Sequence, residues 1–297
     1  VSRTAAGPRV VAPESAAEAA ATLAACARDG AAVVAVGGAT LQSIGNAPRR
    51  WDVALHTGRI SGLLDYEPAD MTAGIAAGTT LAEVARALRE HGQWIPFDAP
   101  LAARATVGGT LAAGWSGPRR ATYGRPRDLV IGSIVALTDG TLAHAGGMVV
   151  KNVAGYDMSK LYVGSLGTLG LIVRANFKAL PRPPARRLAI APLADDVRDR
   201  TLAAIGELVI EPTAALVLDG FSPVARHTGA TQRLVLLFEG SEAVVERGTR
   251  DARSALGKAG IAETRLLDGD DAERAFAEIV DAYVEASNSR TLTYRSP

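Results

Sequence analysis

The sequence predicts an α+β protein built as two domains, and three observations lead there. Up to Pro181, short apolar strand-like runs alternate with helices that open on capping-box spellings. At 181–187 the stretch PRPPARR breaks that texture with prolines and arginines and reads as a linker. Beyond it, segments follow in the order β-α-β-β-α-β, the split βαβ pattern of ferredoxin-like domains. The expected boundaries are 1–182 for the first domain, 183–285 for a small second domain, and 286–297 for the start of a C-terminal segment returning to the first.

In the first domain Ser15-Ala-Ala-Glu18, behind Pro13, opens an alanine-rich helix that Gly30 stops. Ala31 to Val36 follows as a short buried strand and runs into adjacent glycines. Trp51 to His56 and Met71 to Ala77 read as further strands. Thr80-Leu-Ala-Glu83 opens a second helix, which ends at Gly92. Turn-rich Pro96 to Pro100 leads to the glycine-dense segment TVGGTLAAGWSG, 106–117. Strands at 129–137 and 141–145 flank Asp139-Gly140, a hairpin signal. The small-residue segment GSLGTLGLIV, 164–173, leads into a strand that closes at Pro181. In the second domain, strands are expected at 188–192, 214–218, 233–238 and 264–267, with helices at 198–209, 242–259 and 272–285.

Composition narrows the function classes. Hydrophobic residues make up 48% of the 297 residues and charged residues 21%, a globular balance without disorder bias. With 32 basic and 31 acidic residues the net charge is +1, which gives no electrostatic reason to expect nucleic acid or an anionic membrane. No apolar run is long enough to span a bilayer, and VSRTAAGPRVVAPES lacks an apolar signal-peptide core. A single cysteine, Cys26, excludes an intrachain disulfide and a cysteine-held iron–sulfur or zinc site. The expected location is cytoplasmic.

The stretch VAVGGATLQSIG, 34–45, directs attention to a ligand. No Lys follows its glycines as a Walker loop requires, and the glycines are adjacent, unlike a Rossmann turn. Consecutive backbone N–H groups in such a bend form a nest for anionic oxygens, and absent side chains allow close approach. Three bends dense in Gly, Ala, Ser and Thr within one domain suggest one long ligand held between them. A dinucleotide, with its pyrophosphate and flat rings, has the needed length.

Gly37-Gly38-Ala39-Thr40 after a strand, TVGG at 106–109, KNVAGYD at 151–157 and GSLGTLG at 164–170 resemble the FAD-binding domain of the vanillyl-alcohol oxidase, or PCMH-type, superfamily. SGPRR at 116–120, GGMVVKNVAGYDMSKLYVGSLGTLG at 146–170 and LPRP at 180–183 are similar to the FAD-binding subunit of glycolate oxidase, the GlcE type. The resemblance implies a PCMH-type domain of two α/β subdomains carrying a small ferredoxin-like cap. It also implies that Val36, Gly37, Gly38, Ala39, Thr40, Leu41 and Gly45 hold the FAD pyrophosphate, with Gly78 and Thr79 beside them. Asp98, Thr106, Val107, Gly108, Gly109, Ala112, Gly114, Ser116 and Gly117 would line the pyrophosphate and flavin side, and Gly170 and Ile172 the adenine end. Alanine at 39, in place of the commoner glycine, suggests a position that does not need positive φ. No histidine lies in or next to the first loop, so the FAD is expected to be non-covalent. A valine at Gly38 is expected to obstruct the pyrophosphate while leaving the fold intact.

Flavin supplies the redox chemistry, whereas substrate binding and a base must come from protein. Catalytic candidates are Lys151, Asn152 and Tyr156, with Asp157, in the stretch that resembles a flavin-adjacent segment. Lys151 sits inside the apolar run MVVKNVAGY, where an unpaired charge would be costly. Arg119 and Arg120 are candidate carboxylate clamps, against the alternative that both are solvated. His56, His91, His144 and His227 are isolated, without metal-ligand spacing, so no metal is expected.

Three functional readings stay open. The first is an FAD-carrying oxidoreductase subunit of a glycolate oxidase-like complex in glyoxylate metabolism. It would work with a larger catalytic FAD subunit and an iron–sulfur subunit, without nucleic acid or a transmembrane segment. Any membrane association would be peripheral, at the inner face of the cell membrane through those partners. The second is a self-sufficient FAD-dependent alcohol or 2-hydroxyacid oxidase or dehydrogenase. The third is a flavin-free structural subunit, motivated by Ala39 and the short C-terminus.

Overall fold

The structure, a computed structural model, describes residues 7–148, 157–219 and 232–287. It divides into two compact units: Val1–Ser116 with Gly124–Arg182, and Gly117–Tyr123 with Pro183–Pro297.

The first unit begins with β1 (Arg9–Val11), α1 (Ala16–Arg28), β2 (Val33–Val36) and β3 (Val53–His56). The three strands make a parallel sheet in the order β1-β3-β2, with Val36 opposite His56. Ser15 caps α1, its hydroxyl accepting the Glu18 N–H at 3.1 Å. The β2 strand is half-buried except at Val36, whereas the sequence led us to expect burial throughout.

Next come β4 (Leu63–Glu67), β5 (Thr72–Ala76), α2 (Leu81–Arg89), β6 (Gln93–Trp94) and α3 (Val107–Ala113). They are followed by α4 (Arg120–Tyr123, part of the second unit), α5 (Pro126–Leu129), β7 (Val130–Ala136), β8 (Leu142–Gly146), α6 (Ser159–Tyr162), β9 (Leu171–Lys178) and β10 (Leu180–Pro181). The larger sheet is antiparallel in the order β4-β5-β9-β7-β8. A core of Ala19, Ala20 and Leu23 from α1 joins Leu55 of β3 to Ala136 and Val173 of the larger sheet. A second core packs Leu81, Val84 and Leu88 of α2 and Val107 and Leu111 of α3 with Ile75, Val135 and Phe177. The short strands β1, β4 and β6 lie outside the expected set. Mostly exposed Leu63–Glu67 has no clean apolar alternation, and the other two are too short for a period to register.

Thr80 and Glu83 form the expected capping box at the start of α2. The Thr80 N–H donates to Glu83 Oε2 at 2.9 Å, and the Glu83 N–H to Thr80 Oγ1 at 3.3 Å. The Thr80 backbone bond holds the Glu83 carboxyl below its usual range. A carboxyl depressed in the folded state contributes stability above its unfolded pKa and loses it as pH falls through the folded one. Thr80→Ala keeps the backbone bond but removes the hydroxyl, which accepts the Glu83 N–H and donates to Glu83 Oε2 at 2.8 Å, so it should cost about 1 kcal/mol near neutrality. Thermal melts should show that difference shrinking in acid, and an equal cost at pH 7 and pH 3 would refute the reciprocal cap.

The second unit contains β11 (Ala185–Pro192), α7 (Arg198–Gly206), β12 (Ala214–Asp219), β13 (Gln232–Gly240), α8 (Glu242–Lys258), β14 (Arg265–Asp268) and α9 (Gly269–Ser287). Its sheet runs β12-β13-β11-β14, all neighbours antiparallel, which is the split βαβ arrangement. Val197 and Ile205 at α7, with Val245, Ala252 and Leu256 of α8, pack on Ala189, Leu234, Leu236 and Phe238. Ala272, Phe276, Ile279 and Val280 of α9 cover the alternate set, Leu188, Ile190, Val235 and Leu237. Strand periodicity explains why one sheet carries two apolar faces.

Candidate functional site

The site is assembled from backbone segments of the first unit. The chain leaves β2 at Val36 and bends against α3, whose N-cap Thr106 accepts the Gly109 N–H at 3.3 Å. A Cβ added at Gly37 would stand 2.2 Å from Thr106 Oγ1, and one at Gly38 only 1.7 Å from the Arg104 carbonyl oxygen. The bend is bare of side chains there because neighbouring chain occupies the space. At the other end of α3, the Gly164 N–H donates to the Leu111 carbonyl at 2.9 Å and the Leu166 N–H to that of Ala112 at 2.8 Å. This brings the GSLGTLG turn beside the same helix.

One cleft is lined by all three segments. The first supplies Ala35, Val36, Gly37, Gly38, Ala39, Thr40, Leu41, Gln42 and Ile44, with Thr57 from the end of β3. The second supplies Thr106, Gly108, Gly109, Ala112 and Ala113, and the third Leu166, Gly167, Gly170, Leu171 and Ile172. None of these side chains is ionisable.

Other residues singled out in the sequence lie elsewhere. The Gly45 position packs against Leu166 Cδ1. The Gly78 N–H donates to the Ile60 carbonyl at 2.8 Å, and the Thr79 hydroxyl is engaged with the Gly62 backbone. Val107 is fully buried in the core, whereas Gly108 lines the cleft but has its N–H taken by the Ala77 carbonyl at 2.8 Å. Asp98 is buried, its carbonyl accepting the Trp115 indole N–H at 2.6 Å. Gly114 ends α3 with φ +62°, so the segment read as a loop is largely a helix. Gly117 belongs to the second unit. Lys151, Asn152, Tyr156 and His227 lie outside the described residues. Asp157 is exposed and pairs with Lys160 at 3.2 Å.

Two expectations need correction. Ala39 has φ +54°, so the bend does require a left-handed residue, and alanine adopts it at a cost of about 1 kcal/mol. That removes the sequence argument for a degenerate bend. Arg119 is neither solvated nor poised as a clamp. It is 7% exposed, donates to both Glu239 carboxylate oxygens at 2.9 and 3.0 Å, and lies 4.4 Å over the Phe276 ring. Arg120, half-buried, begins α4 in the same unit.

Sequence reasoning missed Ala35, Gln42, Ile44, Thr57, Leu166 and Gly167 as lining residues. The GSLGTLG motif already contained the signal for Leu166 and Gly167. Thr57 carried none, because only the parallel pairing of β2 with β3 brings it to the cleft.

The cleft fits an extended anionic dinucleotide. Among the described residues, the N–H groups of Gly37, Gly38, Ala39, Thr40 and Leu41 meet no protein acceptor, and no lining carboxylate would repel a phosphate. Ile44, Leu166, Leu171 and Ile172 offer apolar walls for flat rings. The hydroxyls of Thr110, Ser116 and Ser165, in or beside these segments, are buried without a partner among the described residues. Also among them, no group of three His, Cys, Asp or Glu could hold a metal, and no helix is long and apolar enough to cross a membrane.

Comparison with known proteins agrees with this geometry. Residues 8–146 match the family described as FAD binding domain. The chain is 42% identical over 125 residues to glycolate oxidase subunit GlcE of Escherichia coli (strain K12), covering 42% of this chain and 36% of that protein. It is 29% identical over 248 residues to glycolate oxidase subunit GlcD of Bacillus subtilis (strain 168), covering 80% of this chain and 53% of that one. The chain thus spans about half the length of these relatives or less. Among solved structures, an alkyldihydroxyacetonephosphate synthase superposes with a TM-score of 0.72 at 20% identity, over 94% of this chain and 55% of that one, a likeness of fold. Residues 8–146 therefore match an FAD binding domain family, the fold is of the PCMH type, and FAD is the cofactor.

Proposed function

We propose that the chain is the FAD-carrying part of an oxidoreductase that converts glycolate, or a similar 2-hydroxy acid, to the 2-oxo acid. The observation that carries this reading is the convergence of three side-chain-poor segments on one cleft, in a chain related to two glycolate oxidase subunits. FAD bound in this cleft would supply the two-electron redox chemistry of that conversion. The bend at 37–41 binds the pyrophosphate through backbone dipoles, and the apolar lining excludes water from the rings. FAD is held non-covalently, since the sequence of the first bend, 34–45, offers no histidine, cysteine or tyrosine for attachment.

Among the described residues the lining of this cleft has no acid, base or cation, and we assign substrate activation elsewhere. It falls to Lys151, Asn152 or Tyr156, or to a larger flavoprotein partner, with an iron–sulfur subunit taking the electrons. Gly45, Gly78, Thr79, Asp98, Val107, Gly114 and Ser116 then act on FAD through the backbone around it. Purified chain should be yellow, and acid precipitation should release all its flavin into the supernatant. Anaerobic glycolate should leave that flavin oxidised until the partner subunits are added. Rapid bleaching of the isolated chain would instead favour a self-sufficient dehydrogenase, the reading supported by a 34% identical relative over 174 residues named D-2-hydroxyglutarate dehydrogenase. A colourless chain that takes up no FAD would overturn both.

A further inference from the structure

Arg104 stands beside the cleft without lining it, and it brackets Gly38 twice. Its carbonyl occupies the space a Cβ on Gly38 would take, and its Nη2 donates to the Gly38 carbonyl oxygen at 3.3 Å. Arg104 is held in turn by a tight turn, its N–H donating to the Leu101 carbonyl at 2.7 Å. That turn is tied to α2, since the Leu81 N–H donates to the Ala105 carbonyl and the Ala82 N–H to that of Ala102.

The Gly38 carbonyl and the Ala39 N–H belong to one trans peptide, so they point in opposite directions. A guanidinium on the carbonyl therefore decides where the Ala39 N–H points. Rotating this peptide would also change φ of Ala39, which lies at +54° where L residues are strained. Left unrestrained, an alanine peptide relaxes by turning over. Its carbonyl oxygen would then face the position where the nest receives phosphate.

Resting on the reading that this cleft holds FAD, we propose that Arg104 is a positioning residue that latches the Gly38–Ala39 peptide with its N–H toward the pyrophosphate. The guanidinium works through the loop's conformation and not as a counter-charge on the phosphates.

The two roles separate in a double-mutant cycle, because glycine at 39 removes the strain that drives the peptide over. FAD titrations of the full chain, followed by quenching of flavin fluorescence, should show Arg104→Ala binding about tenfold more weakly or worse. Ala39→Gly alone should bind close to wild type, and the double variant should regain most of the lost affinity. Wild-type affinity in Arg104→Ala would overturn the latch. So would a double variant as weak as Arg104→Ala, the pattern expected of charge alone. Should Arg104→Ala not fold, Arg104→Met, which keeps the stem but has no donor, is read in the same way. A wild-type chain that binds no FAD would remove the underlying reading and the latch with it; a failure of the latch alone leaves wild-type binding in place.

Discussion

Gly38→Val should abolish flavin binding and also destabilise the first unit. The Cβ itself would stand 1.7 Å from the Arg104 carbonyl oxygen and 2.5 Å from its carbon, so no rotamer relieves the clash. The bend must lift away from the 101–105 turn, which separates the N–H groups of 37–41 from α3. Overpacking of this kind costs about 1–3 kcal/mol, and losing the nest should weaken FAD by roughly a hundredfold or more. This differs from the expectation that a side chain at Gly38 would meet only the ligand. Its neighbour in the structure is protein, so the apo chain suffers too. Trp51, Trp94 and Trp115 all belong to the first unit, so tryptophan fluorescence follows its unfolding. Its midpoint in urea should fall for Gly38→Val and Gly38→Ala, but not for Gly58→Ala, where an added Cβ meets nothing within 4 Å. Unchanged FAD occupancy in Gly38→Val would remove the assigned role of the bend.

The legible parts of the sequence were those governed by local rules. The N-cap at Ser15, the capping box at Thr80, the Asp139-Gly140 turn and the order of elements after Pro183 each follow from spacing within a few residues; the Glu18 carboxylate itself takes the Glu14 N–H in place of the reciprocal bond to Ser15. The three small-residue segments were legible as parts of one site for a similar reason: a backbone that must approach other atoms closely shows itself by missing side chains. Less legible was what each glycine approaches. Gly37 and Gly38 face Thr106 and Arg104, and the Gly108 N–H bonds to Ala77, contacts set by how α3 packs on the sheet. The glycines of Thr106–Ala113 lower helix propensity and hide the helix in the sequence; burial of Val107 and Leu111 outweighs that penalty. Gly117–Tyr123 could not be assigned from sequence, since its place in the second unit depends on Glu239, 120 positions from Arg119.

That long-range contact makes Glu239 the residue whose loss should most damage the second unit. Its carboxylate is fully buried, receives both bonds from Arg119, and lies 3.8 Å from Arg186, its cross-strand neighbour. Burial, followed by the Glu239 charge, raises the Tyr123 phenol well above its usual pKa, so that ring stays neutral beside the pair. Glu239→Gln keeps the shape but leaves two buried guanidinium groups facing a neutral amide, and Arg186 retains only Glu273 as its ion-pair partner among the described residues. Breaking a buried pair from one side costs about 3–5 kcal/mol. Arg119→Ala should cost less, because the Glu239 carboxylate keeps Arg186 nearby. Circular dichroism reports both units while tryptophan reports the first, so Glu239→Gln should lower the dichroism midpoint more than the fluorescence midpoint. Should Arg119→Ala instead leave both midpoints unchanged and raise the KM for a hydroxy acid, Arg119 would be a substrate clamp and the buried staple would be wrong.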